Sequence, residues 1–331
     1  MLDAYRGANV VVTGGLGLIG SHVARMLVER GARVRIIDSL LPDFGGNLHN
    51  IEDFKDRVTL NISDVRDPHG LSYLLADQHY LFNLAGQTSH LGSMNAPFED
   101  MEINCHAQLS ILEVCRRVNP GIRIVFASTR QIYGRPLYLP VDEKHPLHPV
   151  DVNGINKIAG ESYHLLYNDV YGLKSVVLRL TNTFGPGMRI KDAHQIFLGV
   201  WVRRLLDGQP LEVWGGGQIR DFAYVTDVAE AILLSGQVAA LQGRAVNVGG
   251  VPPVTLRQLA EQVVAVAGDG ASFLCREFPE ERKKIDIGDY YSDDRLFRRL
   301  SGWEPKISLE EGLRRTLEYY RAHHQHYLQT S

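Results

Sequence analysis

The sequence VVVTGGLGLIG at residues 10–20 decides how this chain begins to fold. It starts as a β-branched strand, passes through a glycine-rich loop and enters an amphipathic helix. Gly14 can adopt the backbone angles of a tight turn, Gly17 permits the close approach of a pyrophosphate, and Gly20 lets the helix pack close to the strand. Free N–H groups and a partial positive charge at the start of that helix attract phosphates. The stretch therefore predicts a dinucleotide-binding turn.

The second predicted strand, Val34–Ile37, ends in an acid, Asp38. At this distance from the glycine turn, a carboxylate accepts hydrogen bonds from the adenosine ribose hydroxyls and repels a 2′-phosphate. Arg35 lies inside the strand and is not counted as a ligand for such a phosphate. The pattern predicts NAD rather than NADP as the cofactor.

Length and composition indicate a soluble globular protein. The chain has 331 residues and a formal net charge of -3, so it can bury a large core and offers no basic surface for nucleic acid or an anionic membrane. No apolar run reaches the length of a membrane span, and the N-terminus has no secretory hydrophobic segment, so we expect a cytoplasmic protein. Cys105, Cys115 and Cys275 form no CxxC pair, and we expect them to be small buried side chains in a reducing compartment.

Strand-like and helix-like segments alternate up to residue 180. Predicted strands lie at Val58–Ile62, Tyr80–Leu84, Ile122–Ala127 and Ser175–Leu180, and predicted helices run from Pro68, from Glu99 to Val118 and from Asn153 to Tyr171. The alternation predicts an α/β fold, a doubly wound parallel sheet of the Rossmann type with helices on both faces. Beyond residue 180, glycine and proline interrupt short elements. We expect an NAD-binding domain at residues 1–180 and a smaller C-terminal substrate-binding lobe at residues 181–331, part of which returns to the first domain.

Several further motifs occur in the order in which one enzyme family carries them. They are Asp64-Val65, Asn83-Leu84-Ala85-Gly86, Ser128-Thr129-Arg130-Gln131-Ile132-Tyr133-Gly134, Arg179–Pro186, Gly217–Phe222 and Gly302–Pro305. Together with the glycine turn and Asp38, they make nearly the whole chain resemble the extended short-chain dehydrogenase/reductase family, and in particular its nucleotide-sugar epimerases and dehydratases.

This resemblance implies a cofactor site, a substrate site and an assembly. The NAD-binding residues it implies are Gly14, Gly17, Leu18, Ile19, Gly20, Asp38, Asp64, Val65, Leu84, Ala85, Gly86 and Lys157. The residues it implies for a nucleoside diphosphate sugar are Thr88, Arg130, Asn182, Arg220 and Arg282. A guanidinium is a natural planar donor to a diphosphate, although for Arg220 an ion pair with Asp221 is the structural alternative. In the family, the helices matching Glu99–Val118 and Asn153–Tyr171 pair with their copies. We therefore expect a homodimer, supported by apolar residues at Ile103, Leu109, Ile111, Leu112, Val114, Leu165 and Leu166.

The catalytic positions depart from the family pattern. By resemblance, Thr129 supplies the active-site hydroxyl and Lys157 the lysine, but Asn153 stands where the family has its catalytic tyrosine. A carboxamide has no acid or base equilibrium near neutral pH, so Asn153 can orient a hydroxyl group but cannot take its proton.

Three explanations for this substitution remain open. Another group on a segment expected to face the nicotinamide can supply the base, and the candidates are Tyr133, His90 and Lys157; Tyr133 also fits a packing role, and His90 a solvent-facing one. The reaction can instead need less proton transfer at the sugar hydroxyl. The chain can also have lost catalysis and remain as a protein that binds NAD or a nucleotide sugar.

The residues after Thr129 narrow the range of reactions expected for this chain. Family dehydratases carry an Asp-Glu pair there, whereas this chain has Arg130 and Gln131, neither of which titrates near pH 7. A standard 4,6-dehydratase is therefore not expected. Arg130 either binds an acidic or phosphorylated sugar or pairs with a nearby carboxylate.

The sequence predicts no metal site. His145 and His148 flank Pro146, and His323, His324 and His326 lie near the C-terminus, without the ligand spacing of a closed zinc site, so we expect solvated histidines. The function expected from the whole is that of an NAD-dependent nucleotide-sugar epimerase of the UDP-glucose 4-epimerase type. The alternatives are an atypical dehydratase or dehydrogenase acting on the same substrates, and a catalytically silent binding protein.

Overall fold

A parallel sheet of seven strands forms the centre of the protein in a computed structural model that describes residues 2–42, 44–192 and 196–328. The strands of the chain are β1 (Asn9–Thr13), β2 (Arg33–Asp38), β3 (Val58–Ile62), β4 (Tyr80–Asn83), β5 (Arg123–Thr129), β6 (Ser175–Leu180), β7 (Asn182–Phe184), β8 (Leu211–Trp214), β9 (Ile219–Arg220), β10 (Phe222–Tyr224), β11 (Ala245–Val248), β12 (Val254–Thr255) and β13 (Phe273–Arg276). The sheet has the order β3-β2-β1-β4-β5-β6-β11, and every neighbouring pair is parallel. This order confirms the doubly wound fold.

Helices cover the sheet and build the smaller lobe. They are α1 (Leu18–Glu29), α2 (Pro68–Leu75), α3 (His90–Asn95), α4 (Pro97–Met101), α5 (Ala107–Val118), α6 (Val152–Tyr171), α7 (Phe197–Leu206), α8 (Val225–Ser235), α9 (Leu256–Ala267), α10 (Glu280–Lys283), α11 (Arg295–Ser301) and α12 (Leu309–His323). Short 3₁₀ helices span Leu2–Tyr5, Leu48–Ile51, Lys55–Arg57, Arg130–Tyr133, Ala239–Leu241 and His324–Tyr327.

Strand β1 shows why both faces of the sheet are covered. Because side chains alternate along a strand, Val10 and Val12 pack into one buried cluster with α1 and α8, whereas Val11 packs into another with α2 and α5. Continuous apolar strands such as β1 are therefore buried on both sides. Helix α8 and strand β11 come from the second half of the chain and return to this sheet.

The remaining elements form the smaller lobe. Its core contains residues of α7, α9 and α12 together with the short strand pairs β7–β10 and β8–β13. Its cavity-facing side lies over the carboxyl ends of the sheet strands. Among the described residues, no helix has the length and hydrophobicity needed to cross a membrane.

Some local expectations differ from the structure. The helix expected at Glu99–Val118 consists of α4, a π-helical turn at Glu102–His106 and α5. Cys115 is buried as expected, but Cys275 is exposed. His145 is buried rather than solvated, and its Nε2 accepts a hydrogen bond from the Leu137 amide at 2.8 Å in place of water.

Candidate active site

A cavity of about 530 Å³ lies at the carboxyl ends of β1, β2, β4, β5 and β6, beneath the smaller lobe. This is the point where the strand order reverses, next to β1, and open α/β sheets bind ligands there. Every predicted site residue except Tyr133 lines the cavity; these are Gly14, Gly17, Leu18, Ile19, Gly20, Asp38, Asp64, Val65, Leu84, Ala85, Gly86, Thr88, Thr129, Arg130, Asn153, Lys157, Asn182, Arg220 and Arg282.

The glycine turn has no space for a side chain at Gly14 or Gly20. Gly14 has a φ of +67°, and a Cβ atom there would lie 2.9 Å from the backbone of Ala85. A Cβ atom on Gly20 would lie 2.1 Å from the Gly14 carbonyl oxygen, so the first turn of α1 packs directly on the loop. Gly17 is the N-cap of α1 and has no side chain to cover the first N–H groups. The open helix end fits a pyrophosphate.

Asp38 stands at the end of β2 with its carboxylate at the cavity. Its Oδ2 accepts a hydrogen bond from the Leu16 amide at 3.0 Å, and its Oδ1 accepts one from the Leu40 amide at 2.9 Å. Burial raises the pKa of Asp38, and these two amides act in the opposite direction. A carboxylate has acceptor capacity for more than two donors, so the group remains suited to ribose hydroxyls.

Asp64 and Val65 line the same end of the cavity, but the Asp64 carboxylate already has a partner. Arg66 donates to both of its oxygens, with the shortest contact at 2.6 Å. This hydrogen-bonded pair lowers the pKa of Asp64 although burial opposes the shift. The sequence analysis did not identify Arg66 as a residue of this site. Its guanidinium donates to the same Asp64 oxygens that were expected to contact the adenine.

Asn153 is held by a buried polar network around Asp100. Its Nδ2 donates to the Gln87 carbonyl oxygen at 2.9 Å and to Asp100 Oδ2 at 3.0 Å. Asn104 and Asn156 also donate to Asp100, at 3.1 and 2.8 Å, so this fully buried carboxylate accepts from three amides. Both Nδ2 hydrogens of Asn153 are therefore engaged within the protein, and its remaining capacity is the acceptor Oδ1.

Lys157 lies next to this network with its ammonium group almost wholly buried. Its Nζ donates to the Ala127 carbonyl oxygen at 3.2 Å. Burial lowers its pKa from the ordinary 10.5 to about 8, although Asp100 and Glu161 act in the opposite direction. A Cβ atom on Gly86 would lie 2.9 Å from this Nζ, so glycine at that position makes room for the lysine.

His90 and Asp151 form a pair at the same wall of the cavity. Nδ1 of His90 lies 3.0 Å from Oδ2 of Asp151, whose side chain is fully buried. Asp151 caps α6 by accepting from the Gly154 amide at 2.7 Å, and it also accepts from Gln131 Nε2 at 2.8 Å. Burial opposes ionisation of Asp151, but His90 and these donors hold its pKa below the ordinary value. A buried carboxylate thus lies beside an imidazole that borders the cavity, although Nδ1 of His90 makes no aligned hydrogen bond.

Tyr133 is placed differently from the expectation that it faces the nicotinamide. The 3₁₀ turn after Thr129 directs it away from the cavity into a buried cluster with Val141 and Tyr290. Its hydroxyl donates to Asn247 at 2.7 Å and accepts from Arg179 at 2.9 Å. Burial raises its pKa to about 12, although the Arg179 charge acts in the opposite direction. Tyr133 is therefore a packing residue and not a candidate base.

The substrate-side cations have different partners. Arg220 forms an ion pair with Asp286 at 3.3 Å rather than with Asp221. Burial and the neighbouring Arg130 lower the pKa of Arg220 to about 10, although Asp286 opposes this shift. The Arg282 guanidinium lies 4.5 Å from the ring centre of Trp214.

Polar residues of the substrate wall complete the cavity. Thr88 is exposed there, Asn182 Nδ2 donates to the Asp221 carbonyl oxygen at 3.1 Å, and Thr129 accepts from the Gln131 amide at 3.2 Å.

Three histidines, one of them distant from the other two in the sequence, form a cluster outside the cavity. Ligand atoms of His49, His323 and His326 all lie within 4.8 Å of one another, and the His49 and His326 rings stack with centres 4.0 Å apart. The sequence expectation treated His323 and His326 as solvated and did not include His49, which is more than 270 residues away in the chain. These side chains do not line the cavity.

Comparisons with known proteins agree with this geometry. A family model described as the NAD dependent epimerase/dehydratase family matches residues 10–249. A putative UDP-glucose 4-epimerase of Methanocaldococcus jannaschii is 31% identical over 314 residues, which cover 94% of this chain and 98% of that protein. UDP-glucuronic acid decarboxylase 1 of Xenopus tropicalis is 31% identical over 331 residues, covering 96% of this chain and 73% of that protein. The structure of UDP-glucose 4-epimerase with UDP-glucose from Thermotoga maritima has a TM-score of 0.86 and 30% identity, covering 95% of this chain and 99% of that one.

Proposed function

The chain belongs to the NAD-dependent epimerase/dehydratase family, and we propose that it inverts a ring carbon of a nucleoside diphosphate sugar without net oxidation. One observation carries this proposal. A single cavity joins the glycine turn and Asp38 at one end to Thr129 and Lys157 in the middle and to Arg220 on the substrate side. Such a cavity holds a dinucleotide and a second diphosphate ligand together.

The residues at the glycine end fit NAD. The Cβ-free contacts of Gly14 and Gly20, the open N-terminus of α1 and the Asp38 carboxylate are suited to the pyrophosphate and the adenosine ribose. When bound, NAD supplies reversible hydride transfer at its nicotinamide ring. The Lys157 ammonium, buried beside Gly86, is placed to donate to the nicotinamide ribose.

In this proposal the His90–Asp151 pair carries out the proton transfer, because Asn153 has no titrating group. The Asp151 carboxylate, 3.0 Å from Nδ1 of His90, favours a proton on that nitrogen, which leaves Nε2 to accept the proton of a sugar hydroxyl. Loss of that proton from the oxygen and of a hydride from the ring carbon would convert the alcohol to a ketone. Return of the hydride to the opposite face of that carbon and of the proton to the oxygen would invert the centre. Thr129 positions the hydroxyl, and Oδ1 of Asn153 accepts a hydrogen bond from the sugar.

A panel of nucleotide sugars tests the reaction class. The protein with NAD is incubated with UDP-, dTDP-, GDP- and CDP-sugars, while absorbance at the NADH band and the product sugars are followed together. We expect a changed sugar stereocentre without lasting NADH. Lasting NADH would indicate a dehydrogenase, loss of water a dehydratase, and binding without any product a silent binding protein.

Asp38→Ala is expected to reduce the preference for NAD over NADP at least tenfold, roughly the worth of one charge-assisted hydrogen bond. The variant loses an acceptor for the ribose hydroxyls and a charge that repels the 2′-phosphate. Because Asp38 also accepts from the Leu16 and Leu40 amides, the ratio of the two affinities is measured rather than either alone. Asp53→Ala, at an exposed ion pair with Arg25, is the control. An unchanged ratio would contradict the role of Asp38.

A homodimer formed through α4 and α6 is also proposed. Of the apolar residues that were expected to support it, Ile103, Ile111, Leu112 and Val114 are buried in the core, Leu109 and Leu165 are partly buried, and Leu166 is exposed. The exposed apolar side chains near this face include Leu166, as expected, and four others; these are Phe98, Ile155, Val170 and Tyr171. Ile155, Leu166 and Val170 share one face of α6 by helical periodicity. A second copy of this surface would cover them.

Val170→Asp is expected to convert the dimer to a monomer in light scattering at micromolar concentration. A charge on an apolar contact face is costly to bury, whereas it is harmless when the face is free. Leu137→Asp is the matched control, because Leu137 is also exposed but lies away from α4 and α6. A monomeric wild type, or equal masses for both variants, would contradict the proposal.

A further inference from the structure

Arg130 carries a charge that no carboxylate in the described part of the chain neutralises by direct contact. It lines the cavity directly after Thr129, and its Nε is buried without a hydrogen-bond acceptor. Its nearest described aromatic partner is the ring of Tyr290, whose centre lies 5.7 Å from the guanidinium carbon. A buried donor without a partner is unfavourable, so an acceptor from a ligand would complete this site.

The carboxylates whose charges act on Arg130 are already engaged elsewhere. Asp221 accepts from the Thr181 and Ser292 hydroxyls, and Asp286 pairs with Arg220. Asp151 pairs with His90 and caps α6. Arg130 therefore keeps a full positive charge toward the cavity, and this charge in turn disfavours the charged form of Arg220.

The position of Arg130 indicates which part of the substrate it meets. Thr129 precedes it and lines the cavity, and Asp151, which lies beside His90, is among the charges that act on it. Asn182 and Arg220 line the cavity and are the residues expected to hold the diphosphate. Arg130 thus lies between Thr129, expected at the sugar, and Arg220, expected at the diphosphate, and is within reach of a charged group on the sugar.

We infer that Arg130 binds a carboxylate carried by the sugar, so that the substrate is a nucleoside diphosphate uronic acid. This inference rests on the proposed function, because it assumes that a nucleotide sugar occupies the cavity. A carboxylate matches the planar guanidinium with two parallel hydrogen bonds, which a neutral CH₂OH group cannot provide. The residue selects the substrate and does not take part in proton transfer, since a guanidinium does not titrate near neutral pH.

The test compares two sugars that differ only at C6. UDP, dTDP, GDP and CDP are first titrated into the protein with NAD bound. The nucleoside diphosphate that binds best is then used for a matched pair, such as UDP-glucuronate and UDP-glucose, in calorimetry. Wild type is expected to bind the acid about ten- to a hundredfold more tightly than the neutral sugar, the worth of a charge-assisted hydrogen bond.

The variants separate the possible roles of Arg130. Arg130→Gln should abolish the preference for the acid while leaving affinity for the nucleoside diphosphate within about twofold. Arg130→Lys should keep part of the preference, because it retains the charge. Arg220→Gln should weaken both sugars alike, and Arg314→Gln, at an exposed ion-pair cluster on α12, should change nothing.

Two results would overturn the inference while leaving the proposed function intact. In one, wild type binds the neutral sugar as tightly as the acid. In the other, Arg130→Gln weakens both sugars and the nucleoside diphosphate equally, which would assign Arg130 to the phosphates. Failure of all four nucleoside diphosphates to bind the NAD-loaded protein would instead contradict the proposed function, and the inference with it.

Discussion

Replacing His90 by glutamine is expected to lower turnover about a hundred- to ten-thousandfold while leaving NAD affinity unchanged. Glutamine keeps a polar side chain of similar size at the cavity wall but cannot accept and return a proton. The effect is large because Asn153, at the position where the family has a tyrosine, has no titrating group to replace it. Single-turnover rates with the best substrate of the nucleotide-sugar panel measure the loss.

Asp151→Asn separates orientation from helix capping. Asparagine remains a good N-cap acceptor for the Gly154 amide, so α6 should keep its start, but the charge that orients His90 is removed. Turnover should fall with little loss of stability. His69→Gln, an exposed histidine on α2, serves as the control. If His90→Gln kept turnover within about threefold of wild type, proton transfer would belong to another group.

Features that depend on neighbouring residues could be predicted from the sequence. The glycine turn, Asp38 and the alternation of strands and helices are local patterns, and six strands of the parallel sheet follow from them, whereas the seventh, β11, was not predicted. The candidate site residues that the family resemblance implied all line one cavity, except Tyr133, which agrees with a site at the carboxyl ends of the parallel strands.

Features that depend on distant residues could not be predicted. His90 and Asp151 are far apart in the chain, and only the packing of α3 against α6 brings them together. The structural alternative weighed for Arg220 was an ion pair with its neighbour Asp221, yet its ion-pair partner is Asp286. Sequence proximity is a poor guide here, because the adjacent side chain is held by other donors.

Side-chain direction caused two further errors. Tyr133 follows Thr129 closely in sequence, but a single 3₁₀ turn directs it to the opposite side of β5, where Asn247 and Arg179 fix its hydroxyl. The apolar residues of α5 were expected to form a free surface, because the sequence does not show that the sheet and α6 cover them. The exposed apolar side chains of α6 include the same branched aliphatic residue types as the buried side chains of α5. Burial, and not residue type, therefore distinguishes a core face from an interface.

Lys157→Met is expected to stabilise the protein without NAD while weakening NAD binding about ten- to a hundredfold. The folded protein holds the lysine with a pKa of about 8, against 10.5 for the ordinary value. Keeping this ammonium buried at neutral pH therefore costs about 3 kcal/mol. Methionine fills similar space without a charge, although the Ala127 carbonyl oxygen loses a donor, which costs about 1 kcal/mol.

The pH dependence of this gain has a definite sign. Below about pH 8 both the folded and the unfolded lysine are protonated, so the full cost of the buried charge is present. Between about pH 8 and 10.5 the unfolded chain binds more protons than the folded one, so wild type gains stability as the pH rises. The advantage of Lys157→Met in urea unfolding should therefore be about 2 kcal/mol near pH 7 and much smaller near pH 9.5.

The exposed Lys55→Met provides the control, since removing a solvated ammonium should give no such pH-dependent gain. A variant less stable than wild type at neutral pH, or a difference that stays constant with pH, would show that the buried ammonium carries no cost. The opposite effects on stability and NAD affinity are the informative result. They would show that the fold bears an unfavourable buried charge at the position where the cofactor needs a donor.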